Sequence, residues 1–365
     1  MSAPTPKPGV MNINPYVGGE SGLSGVDRVL KLSSNEGAFG PSPIASEAYR
    51  DISANLHLYP DGGADQLRMA IGNVHGLDPA QIVCGAGSDE IIALLCQAYT
   101  GAGDEVLYSQ YGFLMYAISA NAAGATPVVA PETDLTANVD ALLAAVTDKT
   151  RILFLANPNN PTGTYLPSSE VARLREGLRD DVLLVIDAAY AEYVTREDYT
   201  DGNELVDTGD NVIVTRTFSK IHGLGGVRLG WAYGPANVID VLNRVRGPFN
   251  VGAAALAAGA AAIQDRDFTA KIRDHNLKCL AWTREQLLEL GLDVTDSVGN
   301  FLLVCFGEHQ ERTAEGADAA LKKAGIIVRG MAGYGLPNCL RITIGLEEDM
   351  RAVVDCLRQF MGKNE

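Results

Sequence analysis

The stretch Thr217-Phe218-Ser219-Lys220-Ile221-His222-Gly223-Leu224-Gly225-Gly226-Val227-Arg228 brings together an amine, two hydroxyls and a guanidinium. It follows the apolar run Val212-Ile213-Val214, which reads as a buried strand. A lysine just past such a strand end stands at the rim of a sheet. Thr217, Ser219 and Arg228 can surround one phosphate group and leave the amine of Lys220 free as a nucleophile. On this segment alone, a solvated lysine following a strand is an equally good account.

Further constellations lie at other strand ends. Cys84-Gly85-Ala86-Gly87-Ser88-Asp89-Glu90 joins a strand to a helix beginning near Asp89, where small residues and the helix N-terminus favour an anion. Glycine turns that open a helix often do no more than turn. Tyr111, in Ser109-Gln110-Tyr111-Gly112-Phe113, can stack on a planar ring or serve as a core aromatic. Asn157-Pro158-Asn159-Asn160-Pro161-Thr162-Gly163 closes the next strand; its X-Pro bonds restrict the loop, open the possibility of a cis peptide and hold the Asn amides in place. A structural turn tolerates the same composition. Asp187, in Val185-Ile186-Asp187-Ala188-Ala189-Tyr190, ends a very apolar strand, where a carboxylate is costly unless paired. The ring nitrogen of pyridoxal phosphate is such a partner, and Tyr190 can reach that ring's 3-oxygen. Lys220 then suits the role of the lysine holding this cofactor as a Schiff base.

These residues need a sheet to hold them. Seven apolar segments, 82–84, 105–108, 126–130, 151–156, 182–187, 212–216 and 229–233, are mostly separated by helical patterns. Continuous apolar strands of this kind predict a mostly parallel sheet covered by helices on both faces, an α/β class whose ligands gather at the strands' carboxyl ends. Beyond about residue 265 the pattern changes to α+β. A long helix over 268–290 leads to a strand at 301–304, a helix near 314–324, strands at 326–329 and 339–344, and a final helix over 347–361. The expected organisation is an N-terminal arm over 1–30, a large cofactor-binding domain over 44–264, and a small domain formed by 31–43 and 265–365.

The chain has 365 residues, 47% of them hydrophobic, and a formal net charge of -16. That suffices for a sizeable core and argues against nucleic acid as a general partner. Cys84, Cys96, Cys279, Cys305, Cys339 and Cys356 lack C-x-x-C spacing and read as small core residues of a reducing compartment, without a disulfide or zinc framework. The N-terminus carries no hydrophobic signal region, and no stretch has the flanks of a membrane anchor. A cytoplasmic protein is expected.

Together the Asn-Pro-Thr-Gly, Asp-x-x-Tyr and Ser-Lys plus distal Arg motifs resemble, in order, those of the fold-type I aminotransferases, and within them the histidinol-phosphate aminotransferase family. The resemblance runs from about Tyr16 to the last helix. It implies a large domain with a mostly parallel seven-stranded sheet and a smaller α+β domain, pyridoxal 5'-phosphate as cofactor, and transamination between L-histidinol phosphate and 2-oxoglutarate. It implies that Lys220 forms the Schiff base and moves the substrate proton, that Asp187 pairs with the pyridine nitrogen, that Tyr190 and Asn160 bind the 3-oxygen, and that Tyr111 stacks on the ring. Phosphate falls to Gly87, Ser88, Asp89, Thr217, Ser219 and Arg228, with Tyr59 contributed by the other subunit of a homodimer. Arg341 is the implied carboxylate grip, Arg329 the contact for the substrate's phosphate or distal carboxylate, and Tyr16 and Asn35 line the substrate mouth. Asn35-Glu36-Gly37-Ala38 replaces the family's common Asn-Glu-Asn-Pro and loosens a turn there. The segment 329–337 resembles a broader-specificity branch, so transamination of phenylalanine, tyrosine, or arogenate and prephenate is the alternative.

Overall fold

A computed structural model describes residues 4–15, 18, 20, 22–23, 28–307 and 312–363. Seven strands form one sheet, in the order Ile82–Gly85, Gly230–Tyr233, Val212–Thr217, Leu183–Asp187, Thr150–Ala156, Glu105–Ser109 and Thr126–Ala130. Gly230–Tyr233 runs antiparallel to both neighbours, and the other pairs are parallel. Every residue of Leu183–Asp187 and Val212–Thr217 is buried, which is why these strands read as continuous apolar runs rather than alternating ones. Register then places the chemistry. Ala156, Asp187 and Thr215 are paired across three adjacent strands, so the Asn160, Asp187 and Lys220 segments leave the sheet along one edge.

Each face of the sheet carries its own core. Leu107, Leu153, Leu184 and Val214 meet Leu67 and Ile71 on one side. Val106, Ile152, Val185 and Ile213 meet Ile91 and Leu95 on the other. Local chemistry starts the covering helices where they are needed. Ser42 accepts from the Ala45 N–H at 3.2 Å, with Pro43 at the first turn of Pro43–Asp51. The alanine-rich helix Ala253–Gln264 packs closely on Pro43–Asp51 and Asp65–His75 because most of its side chains are small.

The second sheet is antiparallel, in the order Asp293–Val294, Phe301–Cys305, Cys339–Thr343 and Arg329–Gly330. It packs against the helices Arg266–Glu289, Ala314–Lys323 and Glu347–Phe360 around Leu287, Leu302, Leu321, Ile342 and Val354. Leu30–Lys31 pairs in parallel with Ile326–Ile327, so the chain is tied to this second unit before it crosses toward the large sheet. Among the described residues no helix is long and apolar enough to cross a membrane.

One local expectation changes. Cys305 and Cys339 stand directly opposite on adjacent antiparallel strands and form a disulfide, whereas Cys84, Cys96, Cys279 and Cys356 are free. Strand register brings the two sulfurs together, and spacing along the chain carries no trace of it. The helix Pro43–Asp51 continues as a tighter turn over Ile52–Asn55. The short hairpin of Glu132–Thr133 with Thr136–Ala137 has no apolar run to announce it.

Leu184 is fully buried in the centre of the large sheet and outside the cavity described below. Leu184→Ala is expected to cost about 3 kcal/mol, read as a lower denaturant midpoint at unchanged slope, with the activity of the folded fraction preserved.

Candidate active site

A cavity of about 710 Å³ opens at the carboxyl edge of the large sheet, lined by Ser88, Asn160, Asp187, Tyr190, Lys220 and Arg228 among others. It brings together most of the residues singled out from sequence. A cleft of about 820 Å³ beside Tyr193 and Arg284 contains none of them.

Lys220 follows the strand Val212–Thr217 by three residues and donates from Nζ to the Ser34 carbonyl at 3.0 Å. Burial lowers its pKa to about 8, with the Arg341 and Arg228 charges acting in the same direction and Glu36 and Asp187 opposing. The amine is therefore half neutral near pH 8. Gly223 makes the turn after it, at φ +66°, where any Cβ would strike the Gly40 backbone. That contact clamps the lysine turn against the segment 37–41.

Asp187 is only 6% exposed. Its Oδ2 accepts from the Tyr116 hydroxyl at 2.7 Å and its Oδ1 from Thr215 at 3.2 Å. Burial pushes its carboxyl pKa up, and the hydroxyl bonds from Tyr116 and Thr215 counter that. Tyr116 and Thr215 escaped the sequence reading. Tyr116 is the second residue of the helix Met115–Ala123, and its position after a strand end was the available signal.

The Tyr190 hydroxyl accepts from Asn35 Nδ2 at 2.8 Å. Burial raises the phenol to about 12, with Arg341 and the Asn35 bond acting against it. Asn35 is not loosely held. It is 1% exposed, its N–H donates to Thr343 Oγ1 at 3.0 Å, and its Oδ1 accepts from that hydroxyl at 3.1 Å. The departure at Gly37-Ala38 thus leaves Asn35 fixed by Thr343 of the second sheet, with its side chain spent on Tyr190 rather than on an open mouth.

At the other end of the cavity, Arg228 donates to Asp89 Oδ1 at 2.7 Å and to Ser219 Oγ at 3.4 Å. Thr217 Oγ1 accepts from the Ser219 N–H at 3.1 Å. The helix Ser88–Tyr99 starts here, and its first N–H groups have no intrahelical acceptor. Gly87 has φ +97°, and a Cβ would collide with the Asp89 carboxylate and the Arg228 guanidinium. This is a built anion cradle with hydroxyl, guanidinium and helix-end donors.

Asn160 precedes a cis proline, as Asn157 does. Its Oδ1 accepts from Arg341 Nη1 at 2.5 Å, leaving the amide nitrogen as its remaining hydrogen-bonding group. Arg341 is 6% exposed, also donates to the Ser33 carbonyl at 2.8 Å, and lies 5.5 Å from the Phe301 ring. Arg329 pairs with Arg341 across the antiparallel strands, on the same face. Neither arginine is among the cavity's lining residues, but Asn160, Arg341's partner, is.

Tyr111 and Tyr59 lie away from this lining. Tyr111 is outside the lining: its N–H donates to Glu132 and its hydroxyl accepts from Gln110, while Phe113 and Met115 face the cavity in its place. The turn at Gly112 carries the next aromatic inward. Tyr59 is 82% exposed, stacked at 4.8 Å on Phe249, and does not touch the cavity of its own chain. Tyr16 lies outside the described residues.

The donor set fits pyridoxal phosphate in kind: an anion cradle at one end, a buried carboxylate suited to a ring cation, and an amine of lowered pKa between them. Comparison with known proteins agrees. The chain is 64% identical over 362 residues to a histidinol-phosphate aminotransferase of Paramagnetospirillum magneticum, covering 99% of this chain and 100% of that one. It is 62% identical to a histidinol-phosphate aminotransferase of Rhodospirillum rubrum, over 98% and 97% of the two chains. A crystal structure of histidinol-phosphate aminotransferase from Sinorhizobium meliloti, in complex with pyridoxal-5'-phosphate, superposes with a TM-score of 0.86 at 27% identity over 92% of each chain. With residues 27–357 matched by the model of aminotransferase class I and II, and with relatives this similar along nearly its whole length, the chain belongs to that family of aminotransferases.

Proposed function

We propose that this chain binds pyridoxal 5'-phosphate at Lys220 and exchanges an amino group between L-histidinol phosphate and 2-oxoglutarate, giving imidazole-acetol phosphate and L-glutamate in histidine biosynthesis. The observation that carries the reading is the placement of Lys220, Asp187 and the Ser219–Arg228 cradle around one cavity. The substrate assignment follows the relatives' names, which agree at 54–64% identity along the chain.

When bound, the cofactor supplies an electron sink for negative charge at the substrate's α-carbon. The chain's residues bind and orient. Thr217, Ser219, Arg228 and the helix start at Ser88 and Asp89, approached across Gly87, hold the phosphate. Asp187, oriented by Tyr116 and Thr215, keeps the ring nitrogen protonated. Tyr190, oriented by Asn35, and Asn160, oriented by Arg341, would hold the 3-oxygen, and Phe113 lines the cavity. Lys220 Nζ, neutral above about pH 8, takes the proton from the substrate's α-carbon.

Arg341 and Arg329 face each other across a strand pair. They suit the carboxylates of glutamate and the phosphate of histidinol phosphate in alternation. An aromatic amino acid is the second substrate reading, favoured by the apolar cluster of Leu303, Met331 and Cys339 with Tyr334 and Leu336 beside this pair. Assembly as a homodimer completes the proposal. Leu56, Leu58, Tyr59 and Phe249 form an exposed apolar strip, and Tyr59 of one subunit would reach the cofactor phosphate of the other.

In a donor panel, histidinol phosphate is expected to exceed phenylalanine at least about tenfold in kcat/KM; parity or reversal would favour the aromatic reading. Lys220→Ala should lose borohydride-fixed cofactor and at least about 10³-fold in turnover, while retaining its fold. Arg341→Lys should lower kcat/KM for glutamate about 10- to 100-fold with cofactor uptake intact, because one ammonium cannot replace a bidentate fork.

A further inference from the structure

We propose that Arg216 is a positioning residue that sets the placement of Lys220 relative to Tyr190 from the side of the sheet opposite the cavity. The inference rests on the reading of Lys220 as the cofactor-bearing amine.

Alternation along the strand sends Thr215 and Thr217 to one face, where Thr215 donates to Asp187 and Thr217 lines the cavity. Arg216, between them, points the other way. Its side chain is 3% exposed and makes two ion pairs, Nη2 to Glu192 Oε1 at 2.8 Å and Nη1 to Asp201 Oδ2 at 2.8 Å. The guanidinium lies 5.3 Å from the ring of Trp231, its register partner on the next strand. Glu192 stands in the turn Ala191–Tyr193 that directly follows Tyr190. Arg216 belongs to the strand that leads into Lys220. One planar, rigid fork therefore spans the turn bearing the phenol and the strand leading to the amine.

A third tie comes from the segment after the lysine. His222 is 6% exposed, packs 5.0 Å from the Phe218 ring, and faces both Glu192 and Arg216. His75 closes the wall at 5.4 Å from Trp231, and Tyr199 faces the same charges. Arg216 Nε, His75 Nε2 and His222 Nε2 have no hydrogen-bond partner among the described residues. The two carboxylate bonds, not the imidazoles, thus fix the guanidinium. Burial holds His75 down to about 4 and lowers His222 as well, so both rings are neutral across the working range. Burial raises the Tyr199 phenol, which stays protonated there. Glu192, penalised by burial but held low by Arg216, stays ionised. The cluster therefore keeps a constant charge near neutral pH, and a changed pH response of the bound cofactor in a variant reports displaced groups rather than a titrating cluster.

Arg216→Lys keeps the positive charge but cannot serve both carboxylates in fork geometry; Glu192→Gln keeps the shape and weakens one arm. Both variants and the wild type would be loaded with pyridoxal phosphate and compared by thermal melting, by the rate of the glutamate half-reaction, and by the pH midpoint of the Lys220-dependent absorbance. The expected result is folded, loaded protein with KM within about threefold, a half-reaction slowed about 30-fold, and a midpoint moved by at least about 0.5 pH unit, as misplacement of reacting groups by a fraction of an ångström would produce. A lower melting temperature with wild-type rate and midpoint would overturn the proposal and leave Arg216 a purely structural role. Failure of both variants to fold would do the same. A wild type without Lys220-dependent absorbance would instead overturn the reading of Lys220, and this inference with it.

Discussion

Desolvation of two potentially charged groups at neighbouring strand ends is the constraint on which the site depends. Asp187 and Lys220 leave adjacent strands of a sheet buried on both faces, so neither can be hydrated as it would be at the surface. Burial pushes both groups toward neutrality, the carboxyl pKa upward and the amine downward. Such an arrangement is expensive in an empty fold and useful in a loaded one. A ring cation would give Asp187 its counter-charge, and covalent capture would remove the cost of protonating Lys220.

The second sheet acts on the cavity through a few directed bonds. Thr343 holds Asn35, Asn35 holds the Tyr190 hydroxyl, and Arg341 holds the carbonyl end of the Asn160 amide. Phenol and amide are thereby oriented from outside the large sheet, by residues of the strand Cys339–Thr343. In the proposed reading, substrate capture and orientation of the 3-oxygen ligands would meet in the Arg341 guanidinium. Movement of that strand would be felt at both ends.

What was legible in the sequence was whatever depends on local order. Continuous apolar strands, the glycine turn at Gly87 and the carboxylate closing Val185-Ile186-Asp187 each carry their reason in adjacent residues, and the sheet and the turn into the helix Ser88–Tyr99 follow. What was hidden depends on residues brought together across the fold. The Cys305–Cys339 bond depends on strand register, and the Asn35–Tyr190 and Arg341–Asn160 bonds cross from one sheet unit to the other. Tyr111 is a subtler case: two aromatics lie within one turn, and Phe113 rather than Tyr111 lines the cavity. Arg216 was passed over because it resembles any polar residue near a strand end, although its neighbours on the far face make it one of the most buried charges described.

The central claim is that burial, rather than the cofactor, prepares Lys220 for its chemistry. Its most direct test is the titration of Lys220 in cofactor-free protein, by competitive labelling with an amine-selective reagent and quantification of the modified peptide across the alkaline range. The account predicts a midpoint at about 8, with reactivity rising as pH passes through that value and the amine loses its proton. A midpoint near about 10.4, that of an ordinary solvated lysine, would contradict it.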